Sequence, residues 1–153
     1  MGHQRPEMEG RKAKMRFVIT GNPITKKNSQ QILVNRKTGK PFISPSSKYK
    51  AYEKEAVKQL LLQNVRGYSQ FDFPIDAPVN VACVYYMETK RKVDLANLVE
   101  ASLDILVAAG ILADDNCAIA SMYDGSEVHH DKQNPRVEIE ITPIVGGEGW
   151  PFQ

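Results

Sequence analysis

Apolar and polar positions begin to alternate at Met15. Arg16-Phe17-Val18-Ile19-Thr20 is alternating and β-branched, and Gly21-Asn22-Pro23 closes it with turn residues, which predicts a first strand. Residues 1–14 before it show no periodicity and are rich in charge, the composition of a disordered N-terminal extension. Gln31-Ile32-Leu33-Val34 and Pro41-Phe42-Ile43 flank Asn35-Arg36-Lys37-Thr38-Gly39-Lys40, a pattern that predicts a hairpin with a basic, solvent-facing tip. Ser44-Pro45-Ser46-Ser47 then opens a helix that buries Tyr49, Tyr52, Ala56, Leu60 and Leu61 and ends near Asn64 to Gly67. Aspartates and prolines break the segment 72–78. Val79 to Met87 follows as the strongest strand signal, with Val81, Cys83 and Tyr85 alternating against Ala82, Val84 and Tyr86.

The next segment winds as a helix with two distinct sides. At about 100° per residue, Leu95, Leu98, Val99, Leu103 and Leu106 fall on an apolar face, and Asp94, Asn97, Glu100 and Asp104 share a polar stripe. Asp94 is placed to cap its start, and Gly110 after Ala108-Ala109 stops it. Beyond it, 118–123 reads as a strand, Asp124-Gly125-Ser126 as a turn, and 137–141 alternates cleanly as the last strand. The glycine-rich residues 145–153 read as a C-terminal tail. The pattern as a whole predicts one α+β domain over 15–144, a mixed β-sheet with two main helices packed on one side.

Composition narrows the class. A chain of 153 residues, 42% hydrophobic and 25% charged, is an ordinary single globular domain with a real core. No apolar run approaches the roughly 20 residues of a membrane span, and Met1 to Lys14 has no apolar centre of a signal peptide. A cytoplasmic protein with no membrane partner is therefore expected. Cys83 and Cys117 have no partner motif and read as reduced core thiols. The net charge of +2 is too small to imply nucleic acid by itself, but its distribution is not uniform. Lys26-Lys27, Arg36-Lys37, Lys40, Lys48, Lys50 and Lys90-Arg91-Lys92 mark loops and helix starts, and carboxylates concentrate later in the chain.

A basic cluster, a helix with an acidic stripe and the pair Asp114-Asp115 thus occupy one short segment. Cations that attract a polyanion beside carboxylates that hold a divalent metal suit phosphodiester chemistry. An amphipathic helix with a solvated acidic face has the same periodicity, and the Asp114-Asp115 pair is what separates the two readings. A chain that turns back after Gly110 through Ile111-Leu112 brings that pair towards the carboxylates at the helix start only if the following strand packs beside the helix. His129-His130-Asp131 reads as a loop or surface segment, since adjacent histidines on a strand point to opposite faces. Gly146-Gly147-Glu148-Gly149 lacks the strand-to-helix context of a phosphate loop.

Asp94-Leu95-x-Asn97-Leu98, Asp104 within the helix, Ala109-Gly110 at its end and Asp114-Asp115 just beyond resemble the RusA-like Holliday junction resolvases, small endodeoxyribonucleases often carried by prophages. Gly21-Asn22-Pro23 with Lys26-Lys27-Asn28, and Asn134-Pro135-Arg136-Val137-Glu138-Ile139, extend the likeness over most of Met15 to Ile144. The resemblance implies a homodimer acting in DNA recombination and repair. Such a dimer binds four-way junctions and cuts two opposed strands using magnesium, or manganese in its place, held by aspartates. By position, it implies Asp94 and Asp115 as metal-binding catalytic carboxylates with Asn97 close by, and Lys26, Lys27 and Asn28 as the DNA-contacting motif. Asp114 is a further ligand candidate. Asp104 takes a supporting role, and Lys90, Arg91 and Lys92 are phosphate contacts.

The chain departs from the family pattern twice. Ala96 stands where better-known members carry a second aspartate, and Glu100 where they carry a lysine. Magnesium keeps several waters and needs only two or three carboxylates. Glu100, on the same side as Asn97 and Asp104, is therefore a replacement ligand in an active enzyme. The alternatives are a catalytically impaired junction-binding protein and a nuclease for other branched DNA.

Overall fold

The computed structural model describes residues 14–26, 30–45, 47–67 and 72–144. The expected extension up to residue 13, the tail 145–153, Lys27 and Asn28 lie outside them. The core follows from period-two alternation on three strands. In β1 (Met15–Thr20) Met15, Phe17 and Ile19 are buried; in β4 (Val79–Met87) and β7 (Arg136–Pro143) the odd-numbered residues from Val79 to Met87 and from Val137 to Ile141 are buried. Antiparallel pairing of β1 with β7 and of β7 with β4 lines up Phe17, Ile139 and Cys83 across the sheet, so one face is continuous and apolar. Beyond β4, the strands β5 (Ala120–Met122) and β6 (Glu127–His130) both run parallel to it. The hairpin β2 (Gln30–Val34) and β3 (Pro41–Pro45) forms a separate two-stranded sheet.

Two helices cover the apolar face, as their patterning predicts. Ala56 and Leu60 of α1 (Ser47–Gly67) and Leu98, Val99, Leu103, Ile105 and Leu106 of α2 (Leu95–Ala108) join the strand residues in one core. The buried Tyr85 hydroxyl and Ser102 Oγ, 2.8 Å apart, tie β4 to α2. The outer edge of β1 is satisfied by α1. Gln63 accepts from Val18 N at 2.8 Å and donates to Val18 O at 2.7 Å, and Gln59 accepts from Thr20 N at 2.9 Å. Side-chain amides thereby occupy backbone groups that an exposed edge would offer to another chain. No helix among the described residues is long and apolar enough to cross a membrane.

Four expectations change in detail. Leu61, expected on the buried side of α1, is exposed, because it lies about 100° round the helix from the buried Leu60. The histidine segment is strand β6 rather than loop, held by its register against Val84 to Met87, with both histidines exposed. The strand expected over 118–123 shortens because Asn116 organises a turn first: its side chain accepts from Ala118 N at 3.0 Å and its carbonyl from Ala120 N at 2.9 Å. That turn carries Cys117 to the surface, so it is not a core thiol. Cys83 is one, and burial pushes its thiol up to about 12.

Candidate active site and nucleic-acid interface

Helix α2 sets the site. Asp94 caps it through Oδ1, which accepts from Ala96 N at 2.9 Å and from Asn97 N at 3.4 Å. At the other end Gly110, at φ 74°, takes the left-handed conformation that reverses the chain. Ile111 and Leu112 are then buried, and a parallel bridge fixes them: Ile75 N donates to Ile111 O at 2.8 Å and Ala113 N to Ile75 O at 2.9 Å. The next residues, Asp114 and Asp115, are therefore held on anchored backbone. Asp114 accepts from the amide of Asp115 at 2.7 Å and from the Asn116 side chain at 3.2 Å.

This return brings Asp115 within hydrogen-bonding reach of both Asp114 and Asp104. The Asp115 carboxyl is raised above the ordinary aspartate range, first by loss of surrounding water and then by those two carboxyl neighbours. Asp104 also accepts from Lys26 Nζ at 2.9 Å, and the ammonium sits 5.7 Å from the centre of the Tyr49 ring. The bond to Asp104 is the main reason that the Lys26 ammonium is held above its usual lysine value. Asn97, Glu100 and Asp104, the polar stripe of the helix, share a small pocket with Lys26. On the adjoining side a cavity of about 460 Å³ is lined by Ala96, Glu100 and Asp115 among apolar Leu95, Val99 and Leu103. Both departures from the family pattern thus open onto the space that Asp115 faces.

The structure gathers Asp104, Asp114, Asp115 and Lys26. Asp94 is at the head of the helix with Oδ1 engaged in the cap. Among the described residues no three or more His, Cys, Asp or Glu side chains are arranged to hold a metal ion. The donor chemistry still suits magnesium, which is usually held by one or two carboxylates together with water and phosphate oxygens. Asp104 and Asp115 form such a pair. The partnership of Asp104 with Asp115 was not anticipated from sequence. Its signal was the polar stripe continuing to Asp104 just before the Gly110 reversal.

A second feature lies on the other side of Thr25. Asn22, Thr25, Lys48, Arg91 and Lys92 line a cleft of about 490 Å³ whose lining includes no carboxylate. Asn22 fastens its wall by accepting from Glu88 N at 2.9 Å. Of the basic residues expected at phosphates, Arg91 and Lys92 line this cleft and Lys90 is exposed beside it, whereas Lys26 is directed to Asp104. Lys48 is one of the basic residues that mark loops and helix starts in the sequence, and the first turn of α1 brings it to the cleft.

The family model for the endodeoxyribonuclease RusA matches residues 20–142, most of the chain. The protein belongs to the RusA family. No curated protein matches the sequence. The RusA match begins at the last residue of β1 and ends within β7, so it takes in the acidic cluster, the cap at Asp94 and the whole basic cleft. In this RusA-family chain the two sites are joined by the single step from Thr25 to Lys26.

Proposed function

We propose that this chain is a magnesium-dependent, structure-specific endodeoxyribonuclease that resolves four-way DNA junctions by paired phosphodiester hydrolysis, in recombination and repair. One observation carries the reading: an acidic cluster built on Asp115 and Asp104 stands one residue step from a carboxylate-free cleft of Lys48, Arg91 and Lys92. The cleft suits a phosphate backbone and the cluster suits a divalent cation.

Asp115 and Asp104 would hold the metal, with Asp94 and Asp114 carried over from the family pattern as further carboxylates and Glu100 facing the same cavity. When bound, magnesium supplies charge stabilisation at the attacked phosphate and lowers the pKa of a bound water. Lys26 keeps Asp104 oriented and offsets part of the local negative charge. A carboxylate of the cluster that is not holding the metal would accept the proton of an attacking water. Arg91, Lys92 and Lys48 hold phosphates by charge, so binding falls steeply with salt and follows junction shape more than base sequence. Two opposed nicks require two equivalent sites, which a two-fold homodimer supplies.

Cleavage of a synthetic four-way junction with and without magnesium, run beside a linear duplex of the same sequence, tests the reading. Metal-dependent cutting of the junction alone is expected. Equal cutting of both substrates would overturn the structure specificity, and cutting unaffected by chelation would overturn the metal dependence. Ala96 favours a second reading, a junction-binding protein with impaired cleavage, whose mark is tight junction binding with no product at any magnesium concentration.

A further inference from the structure

The hairpin β2–β3 is paired to neither edge of the main sheet. A two-stranded ribbon on its own is marginal in water, yet this one turns its most apolar face outward. Cross-strand partners lie on the same face, so the pairs Ile32 with Ile43 and Val34 with Pro41 define one side. Ile32, Ile43 and Val34 on that side are 75%, 66% and 61% exposed. Leu33 and Phe42, on the other side, are less so. The tip is preformed: Asn35 Oδ1 accepts from Lys37 N at 2.8 Å and Thr38 N at 3.2 Å, and Gly39 turns the chain at φ 71°. A contiguous aliphatic face on an exposed ribbon marks a binding surface.

Two observations say what covers it. The segment 30–45 contains Arg36, Lys37 and Lys40 and no acidic residue, so its partner is a polyanion, and two such ribbons stacked on one another would bring like charges together. Both feet of the ribbon also stand at the sites already described. Lys26, on Asp104, precedes β2, and Lys48 of the basic cleft and Tyr49 under the Lys26 ammonium follow β3. Strands of five residues reach roughly 17 Å, the length of about five base steps along one DNA strand.

We propose that this ribbon is a DNA-inserting element: Ile32, Val34 and Ile43 pack against unstacked bases at the branch point while Arg36, Lys37 and Lys40 hold the flanking phosphates. Aliphatic wedges bracketed by cations use this division of labour to open base steps. Branched DNA is the partner that offers unstacked bases without the full cost of opening a duplex. The inference rests on the reading of this chain as a junction-binding protein.

The test uses the full-length chain, a four-way junction carrying 2-aminopurine at the crossover, and the double variant Ile32→Thr with Ile43→Thr, which keeps both positions β-branched. Wild-type protein is expected to raise the 2-aminopurine fluorescence as the base unstacks. The variant is expected to lose that rise and to bind the junction about tenfold more weakly, the scale of one lost base contact. Its circular dichroism and its molar mass by light scattering should match wild type. Absence of a fluorescence change with bound wild-type protein overturns the proposal whether or not the variant folds. So does unchanged affinity in a folded variant. A variant that binds less while its molar mass falls assigns the face to a contact between copies instead. Wild-type protein that binds no branched DNA removes the underlying reading itself.

Discussion

Asp94 caps helix α2 and is proposed to serve the reaction as well, and two substitutions divide these roles. Its Oδ1 accepts from Ala96 N at 2.9 Å and from Asn97 N at 3.4 Å, so one bond is strong and the other marginal. Asp94→Ala removes the acceptor and the charge at the helix start. Loss of a cap costs about 1 kcal/mol and loss of the favourable charge–dipole contact a further ~0.3–1 kcal/mol. For a domain of this size that lowers the melting temperature by about 3–6 °C. Asp94→Asn retains an amide oxygen at the same place and loses only the charge, so its melting temperature should fall by no more than about 3 °C. If Asp94 also serves the reaction, junction cleavage disappears in both variants although only one is clearly destabilised. Junction binding by Asp94→Asn should stay intact or tighten, because a negative charge near DNA is removed. Thermal melts, mobility shifts and cleavage assays on the same preparations decide the matter. Undiminished cleavage by Asp94→Asn would confine Asp94 to capping, and an Asn variant as unstable as the Ala variant would refute the account of the cap.

A double-mutant cycle of Lys26→Met and Asp104→Asn should show a coupling of about 1 kcal/mol, the upper range for a half-exposed pair. Because Asp104 raises the Lys26 ammonium above its ordinary value, that coupling should be fully present at neutral pH and be lost as pH rises through the raised value, above 10.5; a coupling independent of pH would refute the pairing. Asp115 is raised in the folded state, so its ionisation opposes folding above the ordinary aspartate value. Asp115→Asn should therefore melt higher than wild type at pH 7, with the difference shrinking as pH falls through the raised value towards 3.8 and absent below it, and a lower melting temperature at pH 7 would contradict this. Magnesium at a hundred times its dissociation constant should stabilise wild type by about 2.7 kcal/mol, read as a rise in melting temperature that Asp115→Asn lacks. Ala96→Asp places a carboxylate in the cavity shared by Glu100 and Asp115 and should raise magnesium-dependent cleavage if a ligand is missing; if Glu100 has replaced that ligand, Glu100→Gln abolishes cleavage instead. Full activity in Glu100→Gln together with no gain in Ala96→Asp would remove both residues from the metal site.

Elements with a single strong period were legible from the chain. Val79–Met87 emerged with its expected bounds, and α2 with the cap and stop that Asp94 and Gly110 announce. The short strand β6 was not legible, because Glu127 to His130 is exposed at every position and has no buried alternation to reveal it. Only its pairing with β4 makes it a strand. At the site, the polar stripe Asn97, Glu100 and Asp104 could be read from helical geometry, since all three are on one element. Its partners could not. That Lys26 meets Asp104, 78 positions away, depends on how the loop after β1 packs over α2, and the approach of Asp115 depends on the bridge between Ile75 and Leu112. Long-range register of that kind leaves no local pattern.

Under the proposed function, the charge balance of the cluster would link metal and DNA. Asp104, Asp114 and Asp115 bring three negative charges when ionised and Lys26 one positive, a sum of −2. This sum is unfavourable for the fold, and it adds to the loss of surrounding water in raising the Asp115 carboxyl. It is equally unfavourable for a phosphate, which the cluster repels while the basic cleft beyond Thr25 attracts it. A divalent cation brings the sum to zero and converts the repelling pole into one that a phosphate oxygen can approach. Metal binding and close engagement of the scissile phosphate then strengthen each other by the same factor, as linkage requires. Glu100, facing the same ammonium and the same cavity as Asp115, adds one more negative charge and deepens this dependence. With a lysine at that position the sum would be −1 and the repulsion of phosphate weaker; with glutamate it is −3, so under the proposed function the cluster would depend more on the cation and the cleft of Lys48, Arg91 and Lys92 would carry the first contact with DNA.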